Sequence, residues 1–335
     1  MQIDQLHRFL DQVSEAREWL RSLGFADVER AHGNLVRIAT AGVTLDLLSV
    51  ICDQLAEHLP RSSDPDMALN NLDRFVAAAR NPLSLGSLFE RDREALPILL
   101  QIFATSQHLS DVLITDSESY DLLRITEGQP VSRDSIVAEF CAEIAGLGDD
   151  EPAVAAALRR FKRRETLRVA YGDIIRNQPL DTVARQISFV ADAIVEAAVR
   201  AARKTLDSRG GALRRPAGEP GRFVVLALGK LGGAELNYSS DIDLVFLYDP
   251  GRGADLARQQ HWGEYFDRLV REVLKLLTEP TELGSAYRVD LRLRPSGNAG
   301  PMAVSYDAAL HYYDTSGRTW ERQALVKSRP IAGDL

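Results

Sequence analysis

The stretch GKLGGAELNYSSDIDLVFLYD, residues 229–249, decides how the chain is read. It opens on Gly229, Lys230, Gly232 and Gly233, passes Ser239 and Ser240, and runs through Asp241 and Asp243 into the apolar LVFLY, residues 244–248. A short apolar run rich in β-formers reads as a strand. Side chains alternate across a strand, so carboxylates two apart leave it on one face. Like charges held that close are costly unless a cation or an arginine neutralises them. The glycines let the backbone approach a phosphate group. Lys230 is a point charge for phosphate oxygens, and the two serines put hydroxyl and backbone donors beside the acidic pair. No Lys-Ser or Lys-Thr closes the loop, so it is not Walker-type, and the dinucleotide-binding glycine spacing is absent.

Outward from this stretch the period keeps changing. Before it, FVVLAL, residues 223–228, reads as a second strand. After it, Trp262, Phe266, Leu269, Val270, Val273, Leu274 and Leu277 form one helical stripe. Then YRVDLRLRP, residues 287–295, alternates: Tyr287, Val289, Leu291 and Leu293 on one side, Arg288, Asp290 and Arg292 on the other, with Arg294 continuing that side. Strand, strand, helix, strand predicts a small mixed sheet with helices on one side. If the last strand lies beside the first, Asp290 joins Asp241 and Asp243. Three carboxylates make an oxygen-rich cage suited to Mg2+. Two such ions, about 3.5–4 Å apart, clamp the attacking and leaving oxygens of a displacement at phosphorus. The candidate metal and catalytic residues are therefore Asp241, Asp243 and Asp290. The candidate phosphate or nucleotide contacts are Gly229, Lys230, Gly232, Gly233, Ser239, Ser240, Arg288 and Arg292. A lone Asp-x-Asp is more often a solvated loop, and a lone glycine run a turn. The reading rests on all the pieces occurring together in this order. Arg288 and Arg292 have a plainer alternative as surface ion pairs.

The first 208 residues carry helical periodicity, for example Leu96, Leu99, Leu100 and Phe103, or Val183, Ile187, Val190 and Ile194. Pro82, Pro97, Pro152 and Pro179 fit helix starts or breaks. At DSRGGALRRPAGEPGR, residues 207–222, the pattern stops and a linker is expected. This predicts a helical domain over 1–208 and a catalytic domain over 209–335, an α+β chain. The basic row Arg159, Arg160, Lys162, Arg163, Arg164 and Arg168 is too wide for one buried face. A solvated face is its plainer reading; bordering the active site or meeting an acidic partner is the alternative. In the terminal block, Glu321 and Arg322 are candidates to brace the site. Lys327 and Arg329 are candidates to reach phosphate or a partner, against surface salt bridges as the alternative. His108, His261 and His311 are isolated and read as core or surface residues.

The chain has 335 residues, 26% charged, with net charge -8, which disfavours nucleic acid as a partner. Two distant cysteines, Cys52 and Cys141, read as free buried thiols in a reducing compartment. No secretory signal opens the chain and no apolar run is long enough for a bilayer, so a cytoplasmic location without membrane contact is expected.

A glycine-rich segment, then Ser-Asp-Ile-Asp, then a later strand Asp resembles the DNA polymerase β-like nucleotidyltransferase superfamily. The full string 229–249 is more specific and resembles the signature of the glutamine synthetase adenylyltransferase family. YRVDLRLRPSGNAGPMAVS (287–305) and WERQALVKSRPIAGD (320–334) resemble that family's following blocks. FERDREALPILLQIFATSQHLSDVLITDSE (89–118) and RRFKRRETLRVAYGDII (159–175) resemble its N-terminal helical region. One departure is plain: the superfamily spacing from glycine to first Asp suits Gly229-Lys230 better than Gly232-Gly233, so which glycine meets phosphate stays open.

The resemblance implies a Mg2+-dependent enzyme with two ions, acting on glutamine synthetase. Members carry two nucleotidyltransferase halves, one removing AMP from a tyrosine by phosphorolysis to give ADP, the other attaching AMP from ATP. The wording ELNYSSDID behind a long helical stretch resembles the removing half, in a chain expected to be a fragment truncated at its C-terminus. Partners so implied are glutamine synthetase, adenine nucleotide and inorganic phosphate, with the PII signalling protein a further candidate. The alternatives are the adenylylating reaction at the same type of site, another polymerase β-like transferase, and a non-catalytic module binding nucleotide or PII.

Overall fold

A computed structural model of the chain describes residues 1–117, 119–211, 221–249 and 256–334. Most of the expected linker, 212–220, lies outside the described residues. The chain packs as two compact units, Met1–Gln129 with Leu167–Gln178, and Pro130–Thr166 with Pro179–Leu335.

The first unit is built from α1 (Ile3–Asp11), α2 (Val13–Ser22), α3 (Val28–Thr40), α4 (Leu45–His58), α5 (Pro65–Ala78), α6 (Pro82–Arg91), α7 (Ala95–Thr105), α8 (Gln107–Thr115) and α9 (Ser119–Thr126). Start signals in the sequence become caps: Asp27, Thr44, Asp64, Asn81 and Ser106 each accept the N–H three residues on. Pro65 and Pro82 open their helices, where a missing N–H costs nothing. The stripe Leu96, Leu99, Leu100 and Phe103 is buried as expected, with Phe103 packed on Phe75 at 5.6 Å between ring centroids.

The second unit takes α10 (Arg133–Ala145), α11 (Glu151–Ile174) as far as Thr166, and α12 (Leu180–Leu206) together with the sheet. The sheet is mixed: β1 (Arg222–Leu228), β2 (Ile242–Asp249), β3 (Val289–Asp290), β4 (Ala303–Ser305) and β5 (Arg329–Gly333), in the order β3-β2-β1-β5. β1 lies antiparallel to β2 and β5, and β3 and β4 pair in turn, both parallel, along the outer edge of β2. The remaining helices are α13 (Gly229–Gly232), α14 (Leu256–Thr278), α15 (Tyr306–Thr315) and α16 (Thr319–Ala324).

Helices cover both faces of this sheet, not one. Phe223 and Phe246 stack with Phe266 and Trp262 of α14 on one face. Leu228, Val245 and Leu247 pack with Ala309 of α15 and Ala324 of α16 on the other. Every residue of the run 244–248 is accordingly buried. An unbroken apolar run, without alternation, is what a strand covered on both sides requires.

The third strand is also shorter than its alternation predicts. Only Val289 and Asp290 pair with β2. The Asp290 carboxylate accepts the N–H of Arg292 at 2.8 Å, a local bond that competes with the ladder and turns the chain. Arg294 then folds in, buried, and donates to the carbonyls of Leu291, Gly300 and Pro301. It is not part of an exposed charge row.

The basic row of α11 is not a solvated face either. Arg159 is buried and donates to the carbonyls of Leu276 (3.1 Å), Gly284 (2.6 Å) and Glu279. Lys162 donates to Ala286 O at 2.5 Å and Arg163 to Leu283 O at 3.0 Å. The last carbonyls of a helix lack intrahelical donors, and the end of α14 obtains them from α11. Burial, then the charge of Arg288, pulls the Lys162 ammonium down to about 8. Arg160 of the row remains exposed.

Candidate active site

The site forms where β1 leaves the sheet and β2 enters it. Leu228, the last residue of β1, stands opposite Asp243. The next residue, Gly229, turns with φ +56° into α13, and a Cβ there would run into a carboxylate oxygen of Asp243. Glycine alone meets both demands, the left-handed backbone and the close approach. On the other edge of β2, β3 sets Asp290 directly opposite Asp243. Residues opposite in a pair share a face, so these two carboxylates leave the sheet together, on the side of Val245 and Leu247. Asp241 lies two residues before Asp243 in the chain, and the N–H of Ile242 between them bonds Arg288 O at 3.0 Å.

The three acids have unequal surroundings. Asp241 is exposed and ion-paired to Arg288 at 2.5 Å. Asp290 is gripped by Arg292 through Nε at 2.8 Å and Nη2 at 2.5 Å, and that hydrogen bonding holds its carboxyl below the usual range. The Asp243 carboxylate makes no hydrogen bond or ion pair among the described residues. Its carboxyl is pushed up, first by burial, then by the charge of Asp290, against a smaller pull from Arg292, with Asp241 adding the least. Among the described residues no group of three or more His, Cys, Asp or Glu side chains stands at metal-holding distance, and the outer two acids are turned to their arginines. The donor set nonetheless suits a hard cation: all oxygen, on adjacent strands, with an uncompensated charge at its centre. Both arginines are about three-quarters exposed, at 74% and 75%, so nothing packs them in place.

The expected phosphate contacts divide. Lys230 is exposed on α13, next to Gly229. Gly232 is buried with its Cα against the carbonyls of Lys327 and Ala227, and Gly233 lies against Glu235 and the stem of Lys327. Of the three glycines, Gly229 is therefore the one that borders the carboxylates. Ser239 accepts from Arg288 through its carbonyl at 3.3 Å, and the Ser240 hydroxyl donates to the side chain of Asn237. Glu321 is buried, taking the Tyr312 hydroxyl at 2.8 Å and the Arg318 N–H at 2.7 Å, and so braces α15 against the start of α16. Arg322 donates to Asp314 O at 3.4 Å. Lys327 pairs with Glu235 at 2.8 Å. His108, His261 and His311 are exposed.

Residues away from the carboxylates support this turn; of these the sequence singled out only Arg329, as a phosphate or partner contact, and it is spent on internal acceptors instead. Arg329 donates to Leu231 O in α13 at 3.1 Å and to Asp192 of α12 at 2.5 and 3.0 Å. Asp192 also receives Arg133 Nε at 2.6 Å. Ser188, one turn earlier on α12, accepts the Leu236 N–H at 3.1 Å. The available signal was an acid in the otherwise apolar SFVADAIV, residues 188–195.

Residues 96–335 match the family model for glutamate-ammonia ligase adenylyltransferase. A bifunctional glutamine synthetase adenylyltransferase/adenylyl-removing enzyme of Thioalkalivibrio sulfidiphilus is 34% identical over 280 residues, 82% of this chain and 28% of that protein. Its namesake in Pseudomonas aeruginosa is 36% identical over 266 residues, 78% of this chain and 27% of that one. The protein of the same name in Nitrosococcus oceani is 41% identical over 189 residues, 55% and 19%. The chain thus spans about a quarter of the length of the curated relatives it matches. Among the described residues no helix is long and apolar enough to cross a membrane. On the match of its residues 96–335, the chain belongs to the glutamate-ammonia ligase adenylyltransferase family.

Proposed function

We propose that this chain carries a nucleotidyl-transfer site that acts on glutamine synthetase, removing AMP from an adenylylated tyrosine by phosphorolysis and releasing ADP, in the cytoplasm. The observation that carries the reading is the register of Asp243 on Asp290 beside Asp241 and Gly229. The names of the relatives support glutamine synthetase as the substrate. Asp241, Asp243 and Asp290 would hold two Mg2+ ions, which would supply the positive charge that a displacement at phosphorus needs.

The chain's own groups do the rest. Asp243, uncompensated, fixes where positive charge is wanted. Arg288 and Arg292, exposed and held by the outer acids, with one further long bond from Arg288 to Ser239 O, can trade those carboxylates for oxygens of the incoming phosphate. Lys230 stands on the rim for the same anion. An oxygen of inorganic phosphate bonds to the phosphorus of the AMP group as the tyrosine oxygen leaves. The phenolate then takes a proton from solvent. Phosphate is anionic at neutral pH, so no strong general base is needed; positioning and electrostatics carry the rate. PII and adenine nucleotide complete the proposed partners.

The test is phosphate-dependent release of ADP from adenylylated glutamine synthetase in the presence of Mg2+. A parallel arm offers ATP and unmodified glutamine synthetase. Release in the first arm supports the reading. Activity only in the second reassigns the direction, and none in either refutes the enzyme.

A further inference from the structure

The turn that carries Gly229 is not held by its own bonds alone. Gly233 N–H reaches Gly229 O at 3.2 Å, Ala234 N–H reaches Leu231 O at 3.1 Å, and Glu235 N–H reaches Lys230 O at 2.8 Å. These bonds shape the turn without locating it against Asp243. Its location comes from α12. Ser188, Asp192 and Glu196 are four residues apart, share one helix face and are all buried. Ser188 Oγ accepts the N–H of Leu236, where the segment after the turn ends. Asp192 holds Arg329 through both Nη atoms, and Nη2 also donates to Leu231 O inside the turn. Glu196 accepts the N–H of Gly333 at 2.7 Å and so ties down β5, the strand that carries Arg329.

We propose that Ser188 and Asp192 are positioning residues of the nucleotidyl-transfer site, pinning the 231–236 segment at both ends so that Gly229 stays against Asp243, with Arg329 as the relay from Asp192. The proposal rests on the site reading given above. Asp192 suits the task because a sealed carboxylate fixes a guanidinium through two bonds of set geometry. Arg329 suits it because a planar fork reaches acceptors on two elements at once, whereas an ammonium presents a single point charge. Gly232, pressed against Lys327 O, closes the turn onto the segment just before β5. A shift at α12 is thereby passed to Gly229 with little slack.

The test uses the full chain with Arg329→Lys, which keeps the positive charge on Asp192 and loses the fork. Turnover should fall on the order of a hundredfold, as for a displacement near 1 Å, while KM for adenylylated glutamine synthetase stays within about twofold. Amide exchange of residues 231–236, followed by mass spectrometry without substrate, should quicken while that of α14 does not. A folded Arg329→Lys chain with parental turnover, or with parental exchange in 231–236, overturns the proposal. Should that variant not fold, Ser188→Ala decides: it deletes the acceptor of Leu236 N–H and, besides that, the hydroxyl's bond to Ala184 O within α12, and a turnover loss of about tenfold at constant KM is expected. Parental turnover in Ser188→Ala overturns the claim. The exchange measurement needs no reaction, so a parent chain inactive in both assay arms would refute the proposed function while leaving the positioning claim to be judged by exchange.

Discussion

The second unit holds two acidic centres served by arginines, and they are built on opposite principles. Around Asp192 the carboxylate is fully sealed, at 0% exposure, and its arginines come from α10 and β5, elements far apart in the chain. Around Asp243 the acids lie on, or just before, two paired strands, the arginines lie within two residues of Asp290, and both arginines are open to solvent. The first centre compensates its buried carboxylate in full, between two guanidiniums. The second leaves its middle acid unneutralised and its counter-charges exchangeable. Rigid neutralisation marks a structural joint; loose, incomplete neutralisation marks a place where something else brings charge.

That contrast predicts opposite responses to the same substitution. Asp243→Asn should lower nucleotidyl transfer by roughly a thousandfold or more, since a group contributing several kcal/mol to the displacement is lost. Its thermal stability without metal should be unchanged or higher. The sign follows from the raised carboxyl. The folded chain binds that proton more readily than the unfolded one. The resulting stability is complete below the ordinary value of 3.8 and is lost as pH rises through the raised one. At neutral pH the ionised Asp243 is thus a net cost that Asn removes, and melting curves across pH would show it. Asp192→Asn should do the reverse and destabilise by about 3–5 kcal/mol in denaturant unfolding, because two arginines lose their buried partner. Equal stability losses in the two variants would break the comparison.

Gly229→Ala sharpens it at the boundary between scaffold and site. The left-handed backbone costs an alanine about 1–2 kcal/mol, and its Cβ must displace the Asp243 carboxylate. Unfolding and turnover should both suffer, turnover by about ten- to a hundredfold. Arg292→Ala should have the smallest effect on stability, a slight fall in melting temperature at neutral pH, because the pair is open to solvent on the arginine side. Asp290 would titrate higher, nearer its ordinary value, once its main stabilising hydrogen bonds are gone. A depressed carboxyl contributes stability above the unfolded value and loses it as pH falls through the folded one. In Arg292→Ala that contribution and its loss in acid should both shrink, seen in melting curves across pH, while carboxyl chemical shifts show Asp290 titrating higher.

The site's outline was legible because it depends on local spacing. Asp241 and Asp243 sit two apart before an apolar run, and FVVLAL and LVFLY each form the strand their composition predicts. The features that were misread depend on acceptors that sequence does not display. The alternation in YRVDLRLRP promised a long strand, but a carboxylate able to capture the N–H two residues on ended it. The charges of Arg159 and Lys162 were visible; the open carbonyls at the end of α14 and in the segment between it and β3 that absorb them were not. Asp192 was visible as an oddity in an apolar helix, yet its partners lie 59 and 137 residues away. The unbroken LVFLY did carry the news that both faces of the sheet are covered, by the buried side chains of α14 and α15.

The most direct test is a calorimetric titration of Mg2+ into the full chain and into Asp243→Asn. Saturable binding in the parent, absent or severely weakened in a variant that melts no lower, is the expected result. Identical isotherms for the two proteins would mean that the acids at 241, 243 and 290 do not hold the cation, and the nucleotidyl-transfer assignment for this site would fall.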